Sequence, residues 1–296
     1  MLQDAPFGRL LTAMVTPFAR DERVDLEAAV RVARHLADNG SDGIVVSGTT
    51  GESPTTSADE CGELLSAVKD AVGDKVAVVA GVGTASTAHS VELAEQAARI
   101  GADGLLLVTP YYSKPSPVGV LAHFRAVADA TDVPVMLYDV PGRTGIPISL
   151  ETYRAAHEVD TIVAVKHSVD DGPASAVLTD LGYAVYTGDE SHALGYLAYG
   201  AVGLVSVVSH VAGRDLHDML DAFLAGEHAE ALRLHLNLKP ACDAIMGVPS
   251  YGATTAKAAL QLVGVLDNRR VRGPLVELDP NEVDALRQGL LAAELL

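Results

Sequence analysis

An α/β chain forming one (β/α)8 TIM barrel with a C-terminal helical extension is the fold class predicted from the sequence, on three observations. Eight short runs rich in Val, Leu, Ile or Ala punctuate the first two-thirds of the chain, as parallel strands buried on both faces do. Longer amphipathic stretches separate them, supplying the crossovers that parallel strands need. After about residue 225 the strand pattern stops and only helical periodicity remains.

The runs are Leu10 to Val15, Gly43 to Ser47, Val76 to Gly81, Gly104 to Thr109, Pro134 to Tyr138, Ile162 to Lys166, Tyr183 to Thr187 and Gly203 to Val208. Between them, Asp25 to Asn39, Ala58 to Val72, Thr87 to Ile100, Val118 to Ala130 and Leu150 to His157 read as helices. Two of these stop at Asn39-Gly40 and Ile100-Gly101, where glycine takes the left-handed conformation that closes a last turn. Closure into a barrel leaves no sheet edge, so it is preferred to an open doubly wound sheet. Glu227 to Met246, Thr254 to Val265 and Pro280 to Ala293 form the appendix. The expected organisation is a catalytic barrel over 1–225 and a helical region over 226–296.

Composition narrows the function. The 296 residues are 49% hydrophobic and 20% charged, an ordinary globular balance. A formal net charge of −18 repels a phosphate backbone, so nucleic acid is not an expected partner. Two cysteines, Cys61 and Cys242, provide neither a disulfide framework nor metal-site spacing, and the ten histidines show no ligand pattern. No metal and no cofactor is expected, since phosphate-loop and dinucleotide motifs are also missing. The opening Met1-Leu2-Gln3-Asp4 lacks a basic and apolar leader, and no run reaches membrane-spanning length, so a soluble, cytoplasmic protein with no membrane partner is expected.

Active sites of such barrels lie at the C-terminal ends of the strands, which directs attention to the polar residues closing each run. Strand 2 ends in Ser47-Gly48-Thr49-Thr50-Gly51-Glu52-Ser53, strand 4 in Thr109-Pro110-Tyr111-Tyr112, and strand 5 in Tyr138-Asp139-Val140-Pro141-Gly142-Arg143-Thr144-Gly145. Strand 6 ends in Lys166 and strand 7 in Gly188-Asp189-Glu190. Of six lysines, at 69, 75, 114, 166, 239 and 257, only Lys166 closes an apolar strand. A lysine attacks a carbonyl as the free amine, the form that desolvation favours, so Lys166 is the candidate nucleophile. The competing reading is a strand-end lysine paired with an acid.

Around it, Gly48-Thr49-Thr50-Gly51 offers backbone N–H groups and two hydroxyls to a carboxylate, although such turns also serve as ordinary loops. Tyr138, one strand before Lys166, has a phenol able to give and take a proton; the alternative is a core tyrosine with a satisfied hydroxyl. Arg143, in a Pro/Gly-bracketed loop, suits bidentate binding of a second carboxylate or a surface ion pair. His167, next on the strand, is expected to point away from Lys166.

These motifs, in this order over nearly the whole chain, resemble the dihydrodipicolinate synthase and N-acetylneuraminate lyase family of pyruvate-dependent, Schiff-base-forming barrels. The Thr49-Thr50 pair and Arg143 look like the synthase branch, which condenses pyruvate with L-aspartate semialdehyde to 4-hydroxy-tetrahydrodipicolinate on the diaminopimelate and lysine route. The resemblance implies a lyase in which Lys166 forms the imine, Tyr138 handles protons, and Thr50 links Tyr138 to a Tyr112 reaching in from a neighbouring subunit. It implies that Thr49 and Thr50 hold the pyruvate carboxylate, Arg143 that of aspartate semialdehyde, and that Gly188 and Val205 line the pocket. It also implies a homo-oligomer, a tetramer built as a dimer of dimers. A lyase or aldolase of a 2-keto-3-deoxy sugar acid, and a non-catalytic keto-acid-binding barrel, are the alternatives.

Two departures stand out. His167-Ser168 replaces the usual acidic continuation after the nucleophile, and the family's lysine-feedback positions align approximately with Ala58, Cys61, Ala85 and His89. Weak or absent feedback by lysine is expected.

Overall fold

The computed structural model describes residues 4–248 and 252–296; Met1, Leu2 and Gln3, part of the segment read for a leader, lie outside them. Eight parallel strands close in sequential order, β1 pairing with both β2 and β8. They are β1 (Leu10–Ala13), β2 (Gly43–Val46), β3 (Ala77–Gly81), β4 (Gly104–Val108), β5 (Val135–Asp139), β6 (Ile162–His167), β7 (Ala184–Thr187) and β8 (Gly203–Ser206). Each falls on one of the eight apolar runs.

Around the barrel run α1 (Leu26–Asp38), α2 (Ala58–Val72), α3 (Thr87–Ile100), α4 (Pro117–Ala128), α5 (Pro141–Thr144), α6 (Leu150–Ala156), α7 (Gly172–Asp180), α8 (Ala193–Ala198) and α9 (Ser209–Leu224). The chain continues as α10 (His228–Met246), α11 (Ala253–Leu262) and α12 (Pro280–Ala292). Local chemistry sets the helix ends. Asp25, Ser57, Ser86, Ser116 and Ser149 each accept a hydrogen bond from a first-turn backbone N–H, and Ser57 completes a capping box with Glu60. At the other end of α3, Gly101 adopts φ 89° and donates to the carbonyls of Ala97 and Ala98.

Helices α5 to α8 are short, and α5 occupies what the sequence presents as a loop. Pro141 at its first turn fixes φ for a helix, and Gly145 at φ 80° stops it after four residues.

Strand alternation divides the apolar residues into two layers. Ile44, Val46, Val78, Leu105, Leu107, Val135, Leu137, Val165, Val185 and Leu204 face the helices, where α1 presents Ala28, Ala29, Val32, Ala33 and Leu36. Leu11, Val45, Val79, Leu106, Met136, Ala164, Tyr186 and Val205 fill the barrel. At the N-terminal mouth Phe7, 2% exposed, lies beside Tyr186, whose hydroxyl accepts from the Phe7 N–H at 3.3 Å. Gly104 makes room for the plug: a Cβ there would stand 2.4 Å from the Phe7 ring.

The C-terminal helices are fastened to the barrel. α10 packs along α9, and α12 approaches α10 where Gly289 leaves space that a Cβ, 2.4 Å from that of Ala244, would fill. Among the described residues no helix is long and apolar enough to cross a membrane.

Candidate active site

The aim of Lys166 depends on an irregularity in β6. Val135 pairs with Ile162 but Met136 pairs with Ala164, so Val163 is an extra residue on β6. Ile162 belongs to the outer layer, whereas Val163 and Ala164 both pack towards the barrel interior. Strict alternation from Ile162 would turn Lys166 outward. The bulge resets the phase, so that Val165 faces out, Lys166 faces in, and His167 faces out.

Lys166 lies opposite Tyr138 of β5 on one side and Tyr186 of β7 on the other. Its Nζ is 4.4 Å from the centroid of the Tyr138 ring, and both side chains are 6% exposed. Among the described residues the lysines that form ion pairs are Lys69, Lys75, Lys239 and Lys257. Lys166 therefore does not follow the competing reading of a strand-end lysine paired with an acid.

Backbone closes in on the amine. A Cβ built on Gly188 would lie 2.8 Å from Lys166 Cε and 2.1 Å from Ser168 Oγ, so the first residue after β7 is held to glycine by what it touches. Val205 of β8, 1% exposed, contributes to the apolar interior on the same side as Tyr138.

Above Tyr138 opens a cavity of about 210 Å³, lined by Ser47, Gly48, Thr49, Pro54, Tyr111, Tyr138, Val140 and Arg143, among others. Larger hollows of about 310 and 450 Å³ lie elsewhere, and several of their charged side chains are paired with neighbours, as in His217–Asp42 and Arg233–Glu230. The smaller cavity combines an apolar wall with phenol, hydroxyl and guanidinium groups at the strand ends, the composition expected of a site for a small polar molecule.

Three of the sequence-predicted residues, Thr49, Tyr138 and Arg143, meet in that lining, and Lys166 lies against the Tyr138 ring. Thr50 does not join the lining. It is 7% exposed and turned towards the start of α11, its Oγ1 3.9 Å from a Cβ built on Gly252. Tyr112 is 93% exposed at φ 70°, a left-handed conformation that costs a residue with a Cβ, and its ring projects from the molecule instead of turning in.

Polar residues just behind the site have structural partners. Asp139 faces outward, where its Oδ2 accepts from the Tyr153 hydroxyl at 2.9 Å and the Ile148 N–H at 3.2 Å, while burial pushes its carboxyl up to about 6. His167 packs its ring 5.9 Å from that of Tyr196, and burial pulls the imidazole down to about 4. Glu190 gathers Ser206 Oγ and the N–H groups of Val207 and Val208 on one oxygen, joining the β7 loop to the end of β8.

Sequence reading passes over Tyr111, Gly81 and Gly83. The glycines carry a signal, because a Cβ on Gly81 would meet Ser47 O at 2.2 Å and one on Gly83 would meet Val108 N at 2.4 Å. Isolated glycines at a strand end mark such close backbone approach. Tyr111 carries none, since adjacent tyrosines in a loop give no cue to which faces inward. Among the described residues no cluster of His, Cys, Asp and Glu could hold a metal ion.

The model of the Dihydrodipicolinate synthetase family matches residues 6–293. The chain belongs to that family. Every strand-end residue of the site falls inside the span that matches the dihydrodipicolinate synthetase family. The 4-hydroxy-tetrahydrodipicolinate synthase of Acidothermus cellulolyticus is 53% identical over 293 residues, 99% of this chain and 94% of that protein. The enzyme of the same name from Mycolicibacterium paratuberculosis is 50% identical over 296 residues, covering 99% of this chain and 98% of the other. Among solved structures, DHDPS from Cyanidioschyzon merolae with lysine bound superposes with a TM-score of 0.95 at 40% identity, covering 99% of this chain and 100% of that one.

Proposed function

We propose that the chain is a lyase that condenses pyruvate with L-aspartate semialdehyde to 4-hydroxy-tetrahydrodipicolinate, through an imine on Lys166, in diaminopimelate and lysine biosynthesis. The observation that carries this reading is the inward Lys166 against Tyr138, which itself lines a cavity together with Thr49 and Arg143. Full-length relatives named for this activity support it.

In the reaction, the Lys166 amine adds to C2 of pyruvate, and the carbinolamine loses water to form an iminium. Loss of a proton from C3 gives an enamine, whose C3 bonds to the aldehyde carbon of the semialdehyde. The amine of that second substrate then attacks C2, releasing Lys166 and closing the ring. No oxidant or metal is needed for the electron count. Tyr138, beside the amine, carries the protons for carbinolamine formation and dehydration.

The Thr49 and Thr50 turn receives the pyruvate carboxylate, and Arg143, at the rim, that of the semialdehyde. Because Thr49 lines the cavity with Tyr138 and Thr50 does not, we assign to Thr49 the proton link that the resemblance implies for Thr50, with Thr50 supporting the turn. Gly188 and Val205 shape the floor. Tyr112, held outward in a strained conformation, is suited to complete the site of a neighbouring copy, which favours a homo-oligomer, a tetramer of paired dimers. We place the enzyme in the cytoplasm with its substrates, and treat 226–296 as a helical extension of the barrel over 1–225.

Incubation with pyruvate and sodium borohydride, followed by peptide mass spectrometry, tests the chemistry. A reduced pyruvate adduct on Lys166 is expected, and an adduct confined to another lysine overturns the assignment. Turnover with aspartate semialdehyde, but not with sugar-acid aldehydes, then separates the condensation from the 2-keto-3-deoxy sugar-acid alternative.

A further inference from the structure

A second lysine is buried more deeply than the nucleophile. Lys257 of α11 is 1% exposed, and its Nζ donates to Glu52 Oε1 at 2.5 Å and to the Arg270 carbonyl at 2.7 Å. The other Glu52 oxygen accepts from the Arg272 N–H at 2.8 Å. Both cations meet Phe18, with Lys257 Nζ 4.2 Å and the Arg272 guanidinium 4.4 Å from its ring centroid. Arg272 also donates to the Thr55 carbonyl at 2.7 Å and pairs with Glu60 at 2.5 Å.

This network ends on the turn that faces the cavity. Glu52 is the last residue of Gly48-Thr49-Thr50-Gly51-Glu52, and it sits at φ 56°, a conformation unfavourable for a side chain of its kind. Its N–H donates to the Thr49 carbonyl at 3.1 Å, so Glu52 and Thr49 are two ends of one tight turn. Thr16 Oγ1 holds the Gly51 carbonyl at 2.6 Å from the β1 side. The turn is thus fixed from beneath by the barrel and from behind by the C-terminal extension. A strained residue persists where its surroundings over-determine it, and such positions cluster at ligand sites.

We infer that Lys257 and Glu52 act as positioning residues for the keto acid, holding the Thr49 and Thr50 turn at the height that receives its carboxylate. The inference rests on the pyruvate imine proposed for Lys166. It assigns the C-terminal extension a share in ligand affinity, exerted across 205 residues of sequence without contact to the ligand.

The test separates positioning from simple stability. Lys257→Met leaves Glu52 buried without its counter-charge, whereas Glu52→Gln/Lys257→Met removes both charges and restores much of the lost Tm. The pyruvate concentration giving half-maximal borohydride labelling of Lys166 is measured for each full-length protein, with kcat at saturating pyruvate. For the double variant we expect Tm near wild type, half-saturation raised about tenfold and kcat within about threefold, the signature of lost uniform binding. Half-saturation returning to wild type together with Tm overturns the inference, because Lys257 is then a packing element only.

If the Lys257→Met proteins do not fold, Glu52→Gln alone serves. Lys257 keeps its Arg270 carbonyl there, and burial, which already lowers its amine to about 8, lets it shed the charge. Raised half-saturation is again expected, and an unchanged value overturns the inference. Wild-type labelling distinguishes the two levels of argument. With an adduct on Lys166, the variants judge the tether alone, whereas its absence removes the imine reading and the tether with it.

Discussion

Lys166 and Lys257 are both buried, at 6% and 1% exposure, yet their surroundings are opposite. Lys257 is saturated: a carboxylate, a carbonyl and an aromatic face occupy its ammonium, and nothing remains for a ligand. Lys166 has the Tyr138 ring and an adjacent cavity. A buried amine tied to a carboxylate is a fastening. A buried amine left against a phenol at a strand end is available for bond-making. Burial alone does not distinguish them; the neighbours do.

The largest expected effect breaks the comparison at its reactive member. Lys166→Met abolishes the borohydride-trapped adduct and lowers kcat/KM by about 10⁴-fold or more, with Tm unchanged or raised because an amine leaves an apolar interior. Lys257→Met retains the adduct but costs about 3 kcal/mol of stability by stranding a buried carboxylate, read as a shift in the urea midpoint. Loss of the adduct in the second variant, with the fold intact, would contradict the division of roles.

Next comes Tyr138→Phe. It removes the hydroxyl and keeps the ring beside Lys166, so kcat falls about 10²-fold while slow labelling by pyruvate persists. Gly188→Ala drives a Cβ against Lys166 Cε and Ser168 Oγ and lowers kcat/KM about tenfold; pairing it with Ser168→Ala, which removes the closer contact, recovers part of the loss. Steady-state kinetics on the double variant check that coupling.

A smaller effect concerns the acids behind the two sites. Burial raises Asp139 to about 6 in the folded chain from 3.8, so the folded state holds that proton more tightly. Its contribution to stability is greatest below about pH 4 and is lost as pH rises through about 6, by about 3 kcal/mol at most. Urea midpoints from pH 4 to 7 should show wild type losing ground to Asp139→Asn over that window and running parallel above it. Glu60 behaves oppositely. Arg272 holds it at about 2, so its contribution is present above 4.5 and is lost as pH falls towards 2. The smallest expected effect is that of added lysine. With Ala58, Cys61, Ala85 and His89 at the positions that the family resemblance aligns approximately with lysine feedback, we expect activity unchanged at submillimolar lysine in a direct titration.

Much of this was legible in the sequence because it is local. Apolar runs, Ser and Asp caps and glycine stops encode strands and helix ends within a few residues of themselves, and the barrel's polarity turns a strand-end lysine into a candidate nucleophile. The bulge at Val163 was not legible. It adds one residue to an already apolar run, and only the pairing with β5 reveals that the side-chain phase changes before Lys166. Nor could alternation say which of Thr49 and Thr50, or of Tyr111 and Tyr112, turns towards the cavity, since loop residues follow no fixed period. The Lys257–Glu52 pair joins positions 205 apart, and Lys257 reads locally as one more cation on a helix.

The plug at the N-terminal mouth has a consequence for traffic. With Phe7 and Tyr186 packed across its N-terminal end, the barrel, as its described residues build it, opens to ligands at the rim that carries Arg143. Whatever enters must leave by the same opening. Water released as the imine forms therefore departs along the path by which the second substrate arrives, and product clears before a new keto acid descends. Such a vessel imposes sequence on its visitors through geometry alone: the molecule that reaches the floor must come first, and the one that binds at the lip must come second.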